Sequence, residues 1–197
     1  MIAILARRRP VQLPAAGRAA HLVERNAILY RREWTLIVSG FFEPLLYLLA
    51  IGYGVGALVG SAVTLNGRAI PYAAFVAPAM MASSAMNGAI YETAFNFFYK
   101  LKYVKLYDAI LATPLGVADV ALGEVTWALI RGTLYALGFI VVMAALGLIL
   151  SPWAILAVPA SMLIGFTFAA VGTAASTFVR TWQDFDLVLI VMIPLFL

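Results

Sequence analysis

The feature that most constrains this chain is a succession of long apolar blocks separated by short polar stretches. About 20 apolar residues cross the hydrocarbon of a bilayer as a helix. Four blocks meet that length: residues 34–59, 72–98, 125–150 and 153–179. A fifth begins near Phe185 and has about 13 residues up to and including Leu197. That is too few to cross, so the natural protein is expected to continue beyond it. Mean hydropathy of +1.00 and 64% apolar residues lie far above soluble usage of roughly 45–50%. The expected fold class is therefore an all-α membrane protein, a helical bundle with four complete spans and part of a fifth. Residues 1–33 form a basic amino-terminal segment, and residues 34–197 form the transmembrane domain.

The polar stretches carry the orientation. Seven arginines (Arg7, Arg8, Arg9, Arg18, Arg25, Arg31 and Arg32) face only Glu24 and Glu33 in the amino-terminal segment. The loop at 61–71 has one basic residue, Arg68. The next has Lys100, Lys102 and Lys105, the Ser151-Pro152 turn has none, and the last connection has Arg180. Positive charge thus alternates high, low, high, low, present. The positive-inside rule then puts the amino terminus, the 99–116 segment and Arg180 in the cytosol, in a cell membrane. Beside a span, the arginine cluster implies retention and contact with anionic lipid rather than nucleic-acid binding. The 24–34 stretch reads as an interfacial helix leading into the membrane. Met1–Ala6 is too short for a signal-peptide core, and its arginines follow it.

The segment 99–116, YKLKYVKLYDAILATPLG, is basic and rich in tyrosine. On a helical wheel Tyr99, Tyr103 and Tyr107 share one face, while Lys102, Lys105 and Asp108 take the other. Thr113-Pro114 ends the helix, because a residue before proline disfavours the α region. An amphipathic helix at the end of a span offers one face to a partner.

Several residues inside the blocks are candidates for function. Glu43-Pro44 lies about nine residues into the first span. The proline is expected to kink or break the helix, and a carboxylate at that depth is a functional candidate. Glu92 lies near one end of the second span, and Glu124 and Arg131 lie two turns apart on the third. An ion pair such as Glu92–Arg131 would offset the cost of burying charge. Gly52, Gly56 and Gly60 form a small-residue stripe suited to helix packing or to a dimer seam. A looser stripe runs through Gly165, Ala169 and Thr173. Asp184 and Asp186 read as a solvated helix start. His21, the one histidine, reads as a solvated side chain.

Catalytic signatures are missing from the sequence. It has no phosphate loop, no G-x-S-x-G elbow, no H-E-x-x-H and no cysteine. ATP cannot be held here by a Walker-type loop. No cofactor and no metal are expected on the chain itself.

In its order of spans the chain resembles permease subunits of the type-2 ABC transporter family, the group of daunorubicin-resistance and nodulation-factor exporters. The resemblance is carried by Arg31-Arg32-Glu33-Trp34, Glu43-Pro44-Leu45-Leu46 and Gly52-Tyr53-Gly54-Val55-Gly56. It continues through 108–115 (DAILATPL), Gly123-Glu124 and Arg131. It covers most of the chain from about residue 20, whereas the family has six spans. It implies pairing with a second permease subunit and with ATPase subunits that hold ATP and magnesium. A cytosolic coupling helix within 99–113 would seat in the ATPase, with Lys102, Lys105, Tyr107, Asp108, Thr113 and Pro114 at the contact. It implies outward movement of a lipid, drug or glycoconjugate. Two other classes stand beside it: an ion-coupled secondary transporter using Glu43 and Glu92, and a membrane-embedded lipid-modifying transferase.

Overall fold

A computed structural model describes residues 15–59, 64–65 and 67–184. The expected fifth block, Gly60 and Arg7–Arg9 lie outside the described residues. Among the described residues the regular structure is helical apart from one small hairpin. Helix α1 spans Ala15–Arg32 and α2 spans Trp34–Tyr47. A π-helical stretch, Leu48–Val55, and a short α3, Gly56–Val59, complete the first long helical run. Strands β1 (Thr64–Leu65) and β2 (Arg68–Ala69) pair antiparallel, with Gly67 at φ 75° in the turn. Helix α4 (Tyr72–Ile90) passes through a π-turn, Tyr91–Asn96, into α5 (Phe97–Lys102). A short α6 covers Leu106–Leu111, α7 covers Val117–Ala145, and a 3₁₀ turn at Pro152–Leu156 leads into α8, Ala157–Phe178.

Among the described residues three helical runs are long and apolar enough to cross a membrane: Tyr72–Lys102, Val117–Ala145 and Pro152–Phe178. The first and third agree closely with the blocks read from sequence. The second starts eight residues before its hydropathy block, because Asp119 and Glu124 lower the average there although both are buried. The first block is helical from Trp34 to Val59 and includes the shorter apolar helical stretch Leu45–Val59. Of the kink or break expected at Pro44, a break does not occur. Helix α2 runs through Glu43 and Pro44, and the pitch widens to the π form at Leu48. Membrane helices tolerate proline by such local changes of pitch.

Helix α4 is the centre of the bundle and packs on α7, α8 and the first helical run. Ala74, Ala77 and Met81 of α4 meet Ala136, Phe139 and Met143 of α7, with Leu48 and Val158 closing the layer. A second layer, Met86, Ile90, Ala94, Phe98 and Val179, lies nearer the other end. Small side chains on α4 bring its neighbours close, as membrane helices without a hydrophobic driving force require. At the start of α4, Gly52 approaches so closely that an added Cβ would lie 3.1 Å from the Cβ of Ala73. Gly52, Gly56, Ile70, Tyr72 and Leu146–Leu148 line an apolar cleft of about 650 Å³ at that end.

Length fixes where the charged residues fall. Tyr72–Lys102 has 31 residues, about 46 Å at 1.5 Å per residue, against a hydrocarbon core of about 30 Å. Glu92 lies about 30 Å along that run from Tyr72, and Glu124 lies about 32 Å along α7 from Ala145. Both carboxylates therefore belong near one boundary of the bilayer rather than at its middle.

Candidate functional site

At that boundary four elements converge on two buried carboxylates. Helix α1 is the first. Ala19, Leu22, Asn26 and Tyr30, spaced three and four apart, form its buried stripe. The stripe lies along the first four turns of α7. Arg18 pairs with Asp119 at 3.3 Å, and Asp119 also accepts the Gly116 N–H at 2.9 Å, capping α7. Leu22 seats over Gly123, where an added Cβ would lie 2.7 Å from the Cβ of Leu22. Asn26 donates to Glu124 at 3.3 Å, and the Tyr30 ring packs at a tilt on Trp127, centroids 5.2 Å apart. Partner numbers rise together, so α1 and α7 run parallel. The helix expected over 24–34 thus begins earlier, at Ala15, and docks on protein along one face.

Glu92 sits in the π-turn of the second span and is 1% exposed. Its Oε2 accepts from Arg131 Nη1 at 2.6 Å and from the Tyr30 hydroxyl at 2.6 Å. Its Oε1 accepts from Asn96 Nδ2 at 2.7 Å and faces Lys100 Nζ at 3.6 Å. Arg131 in turn donates through Nε to the Tyr135 hydroxyl at 2.9 Å and lies over the Tyr30 and Tyr135 rings. The wide turn brings Glu92 and Asn96 together on one face, which is how such turns serve polar sites.

Glu124, also 1% exposed, is the second centre. Its Oε2 accepts from Lys100 Nζ at 2.9 Å and from Asn26 at 3.3 Å, and its Oε1 from the Tyr107 hydroxyl at 2.9 Å. Two carboxylates thus face two cations, Lys100 and Arg131, and the cluster is formally neutral. Buried charge is tolerable under those terms, with each ion paired and hydrogen-bonded. Burial and the neighbouring carboxylates, Glu92 for Tyr30 and Glu124 for Tyr107, push both phenols above the usual tyrosine range. Both therefore remain protonated donors at neutral pH.

The segment after α5 hangs from this cluster. The helix expected across 99–113 is not continuous. It breaks at Tyr103–Lys105, where Lys105 adopts φ 50° and ψ 33°, and resumes as α6. Tyr99, Tyr103 and Tyr107 therefore do not form one stripe. Tyr103 stacks on Tyr99 and on Trp182, with ring centroids 6.0 and 5.7 Å apart. Tyr107 turns inward, 3% exposed, against Phe97 and Glu124. Of the residues expected at the ATPase contact, Tyr107 is thus the one that faces the spans. Lys102, Lys105, Asp108, Thr113 and Pro114 are all exposed. Thr113 donates to the Ile110 carbonyl at 2.6 Å and closes the turn after α6.

The other candidates lie elsewhere. Glu43 is in α2, away from the two carboxylates in sequence and in element. Gly52 and Gly56 face Ala73 and Tyr72 of the same chain. Asp184 accepts the backbone N–H groups of Arg180 and Thr181, which lowers its pKa. His21 lies exposed on α1, 3.7 Å from Glu24. Among the described residues no group of three metal-ligating side chains occurs. Sequence reading missed Asn26, Tyr30 and Lys100 as members of the cluster. The spacing of Ala19, Leu22, Asn26 and Tyr30 was the signal available for α1. Lys100 was readable as a snorkelling end residue and carried no distinguishing signal.

The family model described as ABC-2 type transporter matches residues 19–197, from the second turn of α1 onward. The chain belongs to the ABC-2 type transporter family. Over 164 residues it is 34% identical to Nodulation protein J of Rhizobium leguminosarum bv. trifolii, covering 82% of this chain and 60% of the relative. Over 177 residues it is 32% identical to Nodulation protein J of Rhizobium meliloti (strain 1021), covering 88% and 65%. The chain thus spans less than two-thirds of the length of these relatives. No solved structure matches it significantly. The ABC-2 assignment makes this chain a multi-pass membrane component of a transporter, and the helical bundle described above agrees with it.

Proposed function

We propose that the chain is the permease subunit of an ATP-driven exporter, energised by a separate ATPase and paired with a second permease subunit. One observation carries the reading. The segment Lys102–Pro114, with Lys102, Lys105 and Asp108 exposed, is held against the spans through Tyr107, which donates to the buried and paired Glu124. A surface that only met water would not need such an anchorage. The chain has no phosphate loop of its own, so ATP and magnesium would be held by the partner chain.

In this reading the α1 end faces the cytosol, as the distribution of arginine and lysine supports. Lys102, Lys105, Asp108, Thr113 and Pro114 meet the ATPase. ATP binding closes the ATPase pair, and the segment passes the movement to α4 and α7 as a shift between two bundle states. The cargo is a lipid, drug or glycoconjugate moved outward. The apolar cleft lined by Gly52, Tyr53 and Leu148 lies at the opposite end, where such a cargo would leave.

The test is reconstitution of the full-length protein with its partner in proteoliposomes. ATP-dependent movement of a fluorescent lipid or amphiphilic drug is expected, lost when the partner's phosphate-loop lysine is replaced. Movement driven by a proton or sodium gradient without ATP would establish the ion-coupled reading instead.

A further inference from the structure

We infer that Lys100 and Glu124 form a joint that locks α1 and the 103–114 segment into one body, and that they are positioning residues for transmission to the spans. The inference rests on the ATPase-contact reading of that segment. Glu124 collects one donor from each of three separate elements: Asn26 of α1, Lys100 of α5 and Tyr107 of α6, at 3.3, 2.9 and 2.9 Å. Lys100 in turn lies between the two carboxylates, 2.9 Å from Glu124 and 3.6 Å from Glu92. Among the described contacts it is the one side chain that meets both carboxylates, whereas α1 also reaches Glu92 and Arg131 through Tyr30. Leu22, Phe97, Tyr107 and Val120 form an apolar layer beside this joint, so the donors of α1 and α6 are held by packing as well as by hydrogen bonds.

The arrangement has a mechanical consequence. The polypeptide between α5 and α6 is a three-residue break with Lys105 left-handed, which by itself gives α6 freedom to pivot. The Tyr107–Glu124 bond removes that freedom by tying α6 to α7, 17 residues along the chain. The Asn26–Glu124 bond ties α1 to the same carboxylate, 98 residues away in sequence. A push on α6 is then delivered to α7 and α1 together. Without the joint it would be absorbed at residues 103–105.

Single substitutions confuse this role with the cost of unpaired buried charge. Glu124→Gln leaves two cations against one carboxylate, and Lys100→Met leaves the reverse. The double variant Lys100→Met/Glu124→Gln keeps the cluster neutral, with Glu92 and Arg131 still paired. It separates positioning from folding. Spin labels on cysteines introduced at His21 and Ala109, both exposed and outside the cluster, report the α1–α6 distance; the described chain has no other cysteine. The full-length protein in liposomes with its ATPase reports cargo moved per ATP hydrolysed. The double variant is expected to broaden the distance distribution, and to lower transport per ATP about fivefold or more while ATP hydrolysis continues. Tyr107→Phe, which removes one donor and no charge, is expected to move both readouts in the same direction by less. A distance distribution as narrow as that of the unsubstituted protein overturns the joint. A broadened distribution with unchanged transport per ATP overturns its part in transmission. If the unsubstituted protein shows no ATP-dependent transport, the ATPase reading falls and with it the transmission role, while the distance arm still decides the joint.

Discussion

The two ends of this bundle are held together by opposite means. At one end α1, α5, α6 and α7 meet through two carboxylates, two cations, two phenols and two amides, each with a named partner. At the other end α4 meets the first helical run through Gly52, Gly56, Ala73 and Tyr72, beside an apolar cleft. A charged joint has few geometries of low energy, because any displacement strands a buried ion. A contact between small apolar residues can slide by a fraction of an ångström with little change in energy. The difference teaches where rigidity and freedom reside. Under the proposed joint the α1 end would move as a unit, and the helices would part at the cleft end.

Substitutions can break that contrast, beginning with Glu92. Glu92→Ala strands Arg131 and should cost about 3–5 kcal/mol, seen as loss of folded protein from detergent extracts. Glu92→Arg/Arg131→Glu should recover part of that yield, and a double variant no better than either single one would count against the pair. Tyr30→Phe removes a neutral donor to a carboxylate. A loss of about 1.5–3 kcal/mol in denaturant unfolding is expected, with α1 becoming more open to protease. A thermal midpoint unchanged by this substitution would show that α1 is not fastened there.

At the cleft end, Gly52→Val must displace Ala73 and should destabilise by about 1–3 kcal/mol, measured by thermal unfolding. Gly54→Ala, with nothing within 4 Å of the added carbon, should be neutral or slightly stabilising. Equal effects at the two glycines would remove the close contact from the account. The smallest expected change is a gain. Lys105→Gly relieves a left-handed backbone and should stabilise by about 1 kcal/mol or less. It should also lower transport per ATP by loosening the break, since glycine widens the choices open to residue 105. A stability gain without that functional loss would assign the left-handed turn to geometry alone.

The spans were legible in the sequence because bilayer thickness sets a length that apolar composition alone can meet. Residues 72–98 and 153–179 needed nothing more. The start of α7 was hidden because Asp119 and Glu124 look like the polar end of a span until α1 covers them. Glu92–Arg131 was readable as a candidate pair, since two opposite charges in apolar blocks have few other ways to lower their cost. Its third member was not: Tyr30 lies 62 residues from Glu92, and no local pattern connects them. The break at Tyr103–Lys105 was hidden for a different reason. Local periodicity favoured one helix, and the pull of Glu124 on Tyr107 won.

The central claim is that the α1 end is the face the ATPase engages. Single cysteines at Asp108, on α6, and at Tyr53, in the cleft, test it in the full-length protein with a homobifunctional cross-linker and the ATPase present. The account predicts a cross-link to the ATPase from position 108 and none from position 53. A cross-link from position 53, with none from position 108, would contradict it.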